Sequence, residues 1–202
     1  PFGYERFYSE KVVRLPGSYQ VNDRKRRVAE RTPNRAELGL PEDGLVFCCF
    51  NNNYKIAPAV FDIWMRLLQR VEGSVLWLLG DNADSMRNLR REAETRGVPG
   101  NRIVFASRLD LLEHLARHRQ ANLFLDTYPC NAHTTASDAL WAGLPLVTCM
   151  GETFASRVAG SLLHAAALPE LATHSLAEYE SLAFKLASEP DTLAEIRARP
   201  PG

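Results

Sequence analysis

Residues 45–79 read LVFCCFNNNYKIAPAVFDIWMRLLQRVEGSVLWLL and hold two short apolar runs on either side of an amphipathic segment. The runs at 45–50 and 75–79 have the length and unbroken apolar character of strands buried on both faces. Between them, apolar residues from Val60 to Val71 recur at spacings of three and four, as in a helix packed on a sheet, and Pro58 suits its first turn. The stretch predicts a strand–helix–strand unit.

The same alternation continues along the chain. Further strands are predicted at 102–106, 122–126 and 144–149, and helices at 83–96, 111–120, 134–142, 154–166 and from about 176, after a short apolar segment at 168–172. Buried strands that alternate with helices specify a parallel sheet covered on both faces, and right-handed crossovers make it doubly wound. The predicted fold class is therefore α/β, with a Rossmann-like, doubly wound parallel sheet.

Residues 1–43 differ in composition, with few apolar residues and with Pro16, Gly17, Pro33 and Pro41 as breakers. We predict a strand or loop remnant followed by a crossing linker here, and one sheet domain over residues 44–202. The first and last residues read like the interior of a longer sequence, so we expect this chain to be part of a larger protein.

The charge balance excludes some partners. The chain has 202 residues, with 24 basic and 24 acidic side chains and no net charge. Binding to nucleic acid or to a membrane surface needs a cationic excess, and no apolar stretch reaches the about 18 residues of a membrane span. The four cysteines form no C-x-x-C pair, so we expect a reduced, cytoplasmic protein that binds neither nucleic acid nor membrane.

The strongest candidate site is the stretch DTYPCNAHTT at residues 126–135, which leaves a predicted strand and enters a helix. In open α/β sheets ligands bind beyond the carboxyl ends of the strands, and a helix start binds phosphate through its unpaired N–H groups. Thr134, Thr135 and His133 add side-chain donors. The alternative is that Thr134 only caps the helix and His133 only fills space.

Two charged residues extend this hypothesis. Lys55 follows the first strand, where an ammonium group can reach a bound diphosphate, although it is also consistent with a solvated surface lysine. Asp138 lies one helical turn after Thr134, where its carboxylate can accept hydrogen bonds from ribose hydroxyls. It is equally consistent with an ordinary acid in the first turn of a helix.

Metal and dinucleotide sites find less support. His114 and His118 share a helix face, but neither a zincin pattern nor a third ligand accompanies them. The chain has no D-x-D pair, and no G-x-G-x-x-G follows the first strand. We therefore predict no metal and no cofactor. If the ligand is a nucleotide sugar, a helix start, Lys55 and neutral donors must neutralise its diphosphate.

Six segments resemble a known family, in its order and at its spacing, over about residues 39–185. The chain is similar to the C-terminal catalytic lobe of the O-GlcNAc transferase (SPINDLY-like) family, of bacterial type. The segments are FNNNYKI at 50–56, SVLWLL at 74–79, LDT at 125–127, CNAHTT at 130–135, DALWAG at 138–143 and GETFASRV at 151–158.

This resemblance implies the C-terminal lobe of a two-lobed GT-B glycosyltransferase. Such enzymes transfer N-acetylglucosamine from UDP-GlcNAc to Ser or Thr of proteins, with inversion and without a metal ion. The implied partners are a nucleotide sugar and protein acceptors, together with an N-terminal lobe and tetratricopeptide repeats that this sequence lacks. Residues 1–43 resemble the end of that N-terminal lobe.

The resemblance also implies roles for individual residues. Lys55 is the implied catalytic residue and holds the diphosphate together with His133, Thr134 and Thr135. The other implied donor contacts are Asp138 at the ribose, His114 and Arg117 near uracil, the backbone of Leu109 at the base edge, Cys130 against the donor, and Asn52 where animal members have glutamine.

One departure affects the base contact, because Leu111 stands where animal members carry a lysine. Two other functions remain open at this point. One is a protein O-fucosyltransferase that uses GDP-fucose, and the other is a lobe that binds nucleotide or protein without turnover. The residues alone identify no general base.

Overall fold

The computed structural model describes residues 3, 5–13, 15 and 17–199. Within them the chain forms one six-stranded sheet in the order β3-β2-β1-β4-β5-β6, in which every pairing is parallel. The strands are β1 Val46–Cys49, β2 Val75–Leu79, β3 Ile103–Ala106, β4 Leu123–Leu125, β5 Leu146–Cys149 and β6 Ala172–Thr173. This is the strand order of a doubly wound sheet, so the predicted fold class is confirmed.

Seven α-helices connect and follow the strands. They are α1 Pro58–Arg70, α2 Ala83–Thr95, α3 Leu111–Arg117, α4 Thr134–Trp141, α5 Val158–Ala165, α6 Leu176–Ser188 and α7 Pro190–Ala198 among the described residues. The predicted helices at 111–120 and 154–166 are shorter, because 3₁₀ turns occupy His118–Gln120 and Phe154–Ser156. Pro190 opens α7 as a separate helix, since proline is tolerated in a first helical turn and not in a helix interior.

The sheet is buried on both faces. Every residue of β1, β2, β4 and β5 is buried, and the adjacent Cys48 and Cys49, which alternate across the strand, are both buried free thiols. Helix α1 packs against α6, while α4 packs against α3 and α5. The apolar runs of the sequence are therefore sheet strands enclosed by two helical layers.

The order of the strands creates one crevice. The chain moves from β1 outward to β3 and then returns to place β4 on the other side of β1, where Phe47 pairs with Leu123 and Cys48 with Phe124. The loops after β1 and β4 consequently leave the sheet side by side in opposite directions. Ligands of doubly wound folds bind at such a switch point.

The linker that precedes the sheet runs along it rather than away from it. The hydroxyl of Ser161 in α5 donates to the Gly17 carbonyl at 3.1 Å, and the Ala29 N–H donates to the Leu112 carbonyl at 3.1 Å. Further on, Arg35 Nη1 donates to the Gly44 carbonyl at 2.8 Å.

The assignment of residues 1–43 to a remnant of another lobe stays a prediction. Positions 1, 2, 4, 14 and 16 within that segment, and 200–202 at the other end, lie outside the described residues. In the described part of the chain, none of the helices has the length and apolar content needed to cross a membrane.

Candidate functional site

A cavity of about 540 Å³ opens at the switch point between the loops that follow β1 and β4. This volume is in the usual range for small-molecule sites. Lys55, in the loop after β1, extends its ammonium group to the carbonyl of Asn131 in the loop after β4, at 3.0 Å. The cavity is lined by Phe50, Asn51, Asn52, Tyr54, Lys55, Leu79, Arg108, Leu109, Leu111, His114, Arg117, His133, Thr134 and Thr135.

A buried carboxylate, Asp126, holds the loop that leads into α4. It accepts hydrogen bonds from the backbone N–H groups of Thr127 and Ala132, both at 2.7 Å, and from the Thr148 hydroxyl at 2.6 Å. Burial raises the pKa of this carboxyl to about 6, and these hydrogen bonds oppose the rise. Asp126 therefore determines the path of the loop from β4 to α4.

Asn51, at the end of β1, ties the two loops together. Its amide group donates to Thr127 Oγ1 at 2.7 Å and to Asp126 Oδ1 at 3.3 Å, and its Oδ1 accepts from the hydroxyl of Thr135. The Thr135 hydroxyl proton is thus directed to Asn51. In this arrangement the contribution of Thr135 to ligand binding comes from its position in the first turn of α4.

Helix α4 begins at Thr134, and among the described residues no side chain caps its first N–H groups. Such a helix start carries a partial positive charge that attracts anions. His133 precedes it and has its Nδ1 2.9 Å from the hydroxyl of Tyr19 in the linker. Burial, together with the charge of Lys55, lowers the pKa of His133, so the imidazole is neutral at neutral pH.

The opposite end of the cavity is aromatic and contains a buried guanidinium group. Arg117, 1% exposed, lies over the ring of Phe50 at 4.4 Å and donates to the Ser107 carbonyl at 2.6 Å. Its Nη2 is 2.5 Å from Nδ1 of His114, whose ring contacts Phe50 edge-on. An aromatic wall of this kind is suited to a flat ring such as a nucleobase.

Asp138 lies one turn into α4 and is paired with the linker. Arg26 donates to its Oδ1, and its Oδ2 is 3.9 Å from His114 Nε2. Burial raises the pKa of Asp138, while the guanidinium of Arg26 opposes the rise. The carboxylate is thus neither a solvated acid nor an ordinary first-turn acid, because a buried ion pair holds it.

The structure brings most of the predicted donor-binding residues to one cavity. Those in its lining are Asn52, Lys55, Leu109, His114, Arg117, His133, Thr134 and Thr135, whereas Cys130 and Asp138 are not among its described lining residues. The Cys130 carbonyl instead accepts from the Thr127 hydroxyl at 2.7 Å. His118, which the sequence pairs with His114, is fully buried beneath Phe50.

Sequence reasoning assigned no role to four residues that hold the site in place: Tyr19 and Arg26, which it did not single out, and Asn51 and Asp126, which lay inside the candidate segments. For Asn51 and Asp126 a signal was available, because each is a polar residue at the carboxyl end of an apolar strand. Tyr19 and Arg26 lie more than a hundred residues from their partners in the chain. No local pattern connects residues so far apart.

Other regions of the described chain show fewer features of a functional site. Within the described residues no group of three or more His, Cys, Asp or Glu side chains is placed to hold a metal ion. A larger cavity of about 690 Å³ lies between residues 17–24 of the linker and α4, α5 and α7. Its lining includes residues 143–145, which precede β5 and so lie at the amino edge of the sheet, opposite the edge where ligands bind in this fold class.

The fold and the crevice define the class first: a doubly wound α/β protein with an anion-attracting helix start and a lysine at its switch point. The family follows from sequence, since the model of glycosyl transferase family 41 matches residues 23–200. The chain belongs to this family.

Individual relatives agree with this assignment. The chain is 42% identical over 193 residues to a protein of Arabidopsis thaliana named probable UDP-N-acetylglucosamine–peptide N-acetylglucosaminyltransferase SEC, covering 93% of this chain and 20% of the relative. It is 41% identical over 181 residues to the UDP-N-acetylglucosamine–peptide N-acetylglucosaminyltransferase of Caenorhabditis elegans, covering 87% and 16%. The chain therefore spans about a fifth of the length of these relatives or less.

Among solved structures, a mutant O-GlcNAc transferase of Thermobaculum terrenum superposes with a TM-score of 0.84 at 32% identity, covering 98% of this chain and 37% of that one. This match confirms the predicted architecture, that of a GT-B glycosyltransferase lobe, and the family resemblance drawn from the six sequence segments.

Proposed function

We propose that this chain is the nucleotide-sugar-binding lobe of a protein O-GlcNAc transferase, which binds UDP-GlcNAc for inverting, metal-independent transfer of N-acetylglucosamine to Ser or Thr of proteins. One observation carries the proposal. Lys55, whose ammonium bonds the carbonyl of Asn131 just before α4, and the uncapped start of α4 line the same cavity at the switch point. The names of relatives at 42% and 41% identity state transfer of N-acetylglucosamine from UDP-N-acetylglucosamine to peptides, which supports the donor and the transferred sugar.

In this proposal Lys55 stabilises the leaving group. The diphosphate gains negative charge as the sugar bond breaks, so a cation and N–H groups aimed at it stabilise the transition state more than the ground state. Removing one such donor in well-studied sites costs about 3 to 4 kcal/mol. The proposed positions along the donor are the diphosphate at Lys55, His133, Thr134 and Thr135, and uracil near His114, Arg117 and Leu109.

The protein acceptors are proposed to bind mainly to parts of the whole protein other than this chain, namely an N-terminal lobe and tetratricopeptide repeats. The small share of the relatives' length that this chain spans supports this division. We propose the cytoplasm as the compartment, which the four free cysteines support.

Calorimetric titration of the intact protein with UDP and with GDP tests the donor. We expect UDP to bind at least about tenfold more tightly than GDP, with affinity unchanged by EDTA. Tighter binding of GDP would favour a fucosyltransferase instead. Transfer of labelled N-acetylglucosamine to a protein acceptor then separates an enzyme from a lobe that binds without turnover, and NMR of the linkage formed reports whether the anomeric centre inverts.

A further inference from the structure

Four side chains form a polar row from the base end of the cavity to the linker. Arg117 Nη2 contacts His114 Nδ1 at 2.5 Å, His114 Nε2 lies 3.9 Å from Asp138 Oδ2, and Arg26 donates to Asp138 Oδ1. An arginine stands at each end of the row, and the only gap is between His114 and Asp138.

The tautomer of His114 is determined by Arg117. A guanidinium group has donors and no acceptor, so Nδ1 of His114 must be the acceptor. Burial, with smaller contributions from the neighbouring His118 and Arg117, lowers the pKa of His114 to about 3, so the ring is neutral at neutral pH. A neutral imidazole that accepts at Nδ1 carries its proton at Nε2, and Nε2 is the nitrogen nearest Asp138.

The two atoms that flank the gap are complementary. At 3.9 Å they are too far apart for a hydrogen bond to each other, but a hydroxyl oxygen can lie about 2.8 Å from both. A hydroxyl both accepts and donates. It can accept from His114 Nε2–H and donate to Asp138 Oδ2. This pair of contacts suits a sugar hydroxyl and does not suit a phosphate oxygen.

Arg26 determines where Oδ2 points. Its guanidinium group binds Oδ1, and its Nη2 donates to the hydroxyl of Ser137 at 3.2 Å. That hydroxyl in turn donates to Asn22 in the linker, and the guanidinium lies over the ring of Trp141 at 5.1 Å. The Arg26 side chain is only 11% exposed, so contacts on several sides define its position. With Oδ1 bound to Arg26, the Oδ2 atom of Asp138 is directed to His114, a residue that lines the cavity.

We propose that Arg26, in the linker, is a positioning residue that holds the Asp138 carboxylate so that Oδ2 and His114 Nε2–H together bind one ribose hydroxyl of the nucleotide. This inference rests on the proposed function, because it takes the ligand to be a ribonucleotide. With this role for Arg26, the linker is part of the donor site and not only the segment that leads to it.

A comparison of two ligands isolates this contact. We would measure the dissociation constants of UDP and of 2′,3′-dideoxy-UDP, which keeps the base and the diphosphate but lacks both ribose hydroxyls. For the wild type we expect UDP to bind about ten- to a hundredfold more tightly, as for a hydrogen bond to a charged group. For Arg26→Met we expect the ratio to fall below about threefold, and for Arg26→Lys, which keeps the charge and loses the planar fork, an intermediate ratio.

The controls separate this role from folding and from the donor proposal. Asp138→Asn should lower the ratio as Arg26→Met does, and Arg27→Met, a change at an exposed neighbouring arginine, should leave it unchanged. A general loss of structure would weaken both ligands equally and leave the ratio at its wild-type value, which contradicts the inference. Tighter UDP binding by Arg26→Met would mean that Arg26 competes with the ribose, and would also overturn it. No binding of UDP by the wild type would instead reject the proposed function.

Discussion

The ammonium group of Lys55 donates a hydrogen bond to the carbonyl of Asn131 at 3.0 Å, across the point where β1 and β4 diverge. Asn131 is itself held by its amide group, which donates to the carbonyls of Thr127 at 2.9 Å and Cys149 at 3.3 Å. A flexible lysine side chain is thereby placed beside the start of α4. The relationship joins the two loops that the proposed diphosphate site requires.

The first prediction concerns Lys55→Ala in the intact protein. We expect transfer activity to fall at least about a hundredfold, because a cation at the leaving diphosphate contributes about 3 to 4 kcal/mol. We expect little change in the free energy of unfolding, since Lys55 is only partly buried. Lys185→Ala, at an exposed lysine of α6, is the matched control, and activity of the Lys55 variant above a tenth of wild type would reject its role.

The second prediction separates Asn51 from its neighbour Asn52. Asn51→Ala leaves the buried Thr127 and Asp126 side chains and the half-buried Thr135 hydroxyl without a shared partner, and unpaired buried polar groups cost about 1 to 3 kcal/mol each. We expect urea unfolding to show a loss of about 2 kcal/mol or more. Asn52→Ala should change stability by less than about 0.5 kcal/mol. Equal effects of the two substitutions would contradict the bridging role.

The third prediction is a pH dependence of stability from His118. Burial lowers its pKa to about 4, while the unfolded value is about 6.5. The unfolded chain therefore binds this proton first, so stability is complete above pH 6.5 and decreases as the pH falls towards 4, by about 3 kcal/mol.

Replacing His118 by Phe removes this dependence while retaining an aromatic ring beside Phe50. Denaturant unfolding between pH 4 and 7 should then show a smaller loss at acid pH for His118→Phe than for the wild type. His174→Gln, at an exposed histidine, should follow the wild-type curve. Parallel curves for wild type and His118→Phe would show that His118 does not titrate as its burial requires.

The fourth prediction concerns the entry to β1. Gly44 has φ +97°, and a Cβ there would lie 2.3 Å from the backbone carbonyl oxygen of Gly73. Gly39 also has a positive φ of +68°, but a Cβ there meets nothing within 4 Å. We expect Gly44→Ala to destabilise the protein by about 3 kcal/mol or more, and Gly39→Ala by about 1 kcal/mol. Thermal or urea unfolding measures the difference. Equal losses of stability for the two variants would contradict a steric conflict between a Cβ at Gly44 and the carbonyl of Gly73.

Much of the fold could be predicted because its signals are local. The apolar runs that became β1, β2 and β5 are short and uninterrupted, and the spacing of Val60, Ile63, Trp64, Leu67 and Leu68 identified the buried face of α1. Element ends were predicted less well. The helix expected from residue 154 begins at Val158, because Thr153 and Ser156 form a reciprocal capping arrangement around a 3₁₀ turn.

The candidate site was predicted in part for the same reason. Lys55 and the His133–Thr135 segment follow strands directly, so the rule that ligands bind beyond the carboxyl ends of strands identified them. The linker contacts of Tyr19 and Arg26 follow no such rule, since each joins residues more than a hundred positions apart. Their roles appear only once the linker lies along the sheet.

The sequence by itself determined the doubly wound class, the family resemblance and the loops in which a site would lie, because burial periodicity and motif spacing are properties of neighbouring residues. Only the tertiary structure decided that β4 pairs with β1, that Lys55 reaches Asn131, and that Arg26 neutralises Asp138. These depend on which distant segments share a buried surface, where an unpaired charge or amide is costly and each polar group must find its partner.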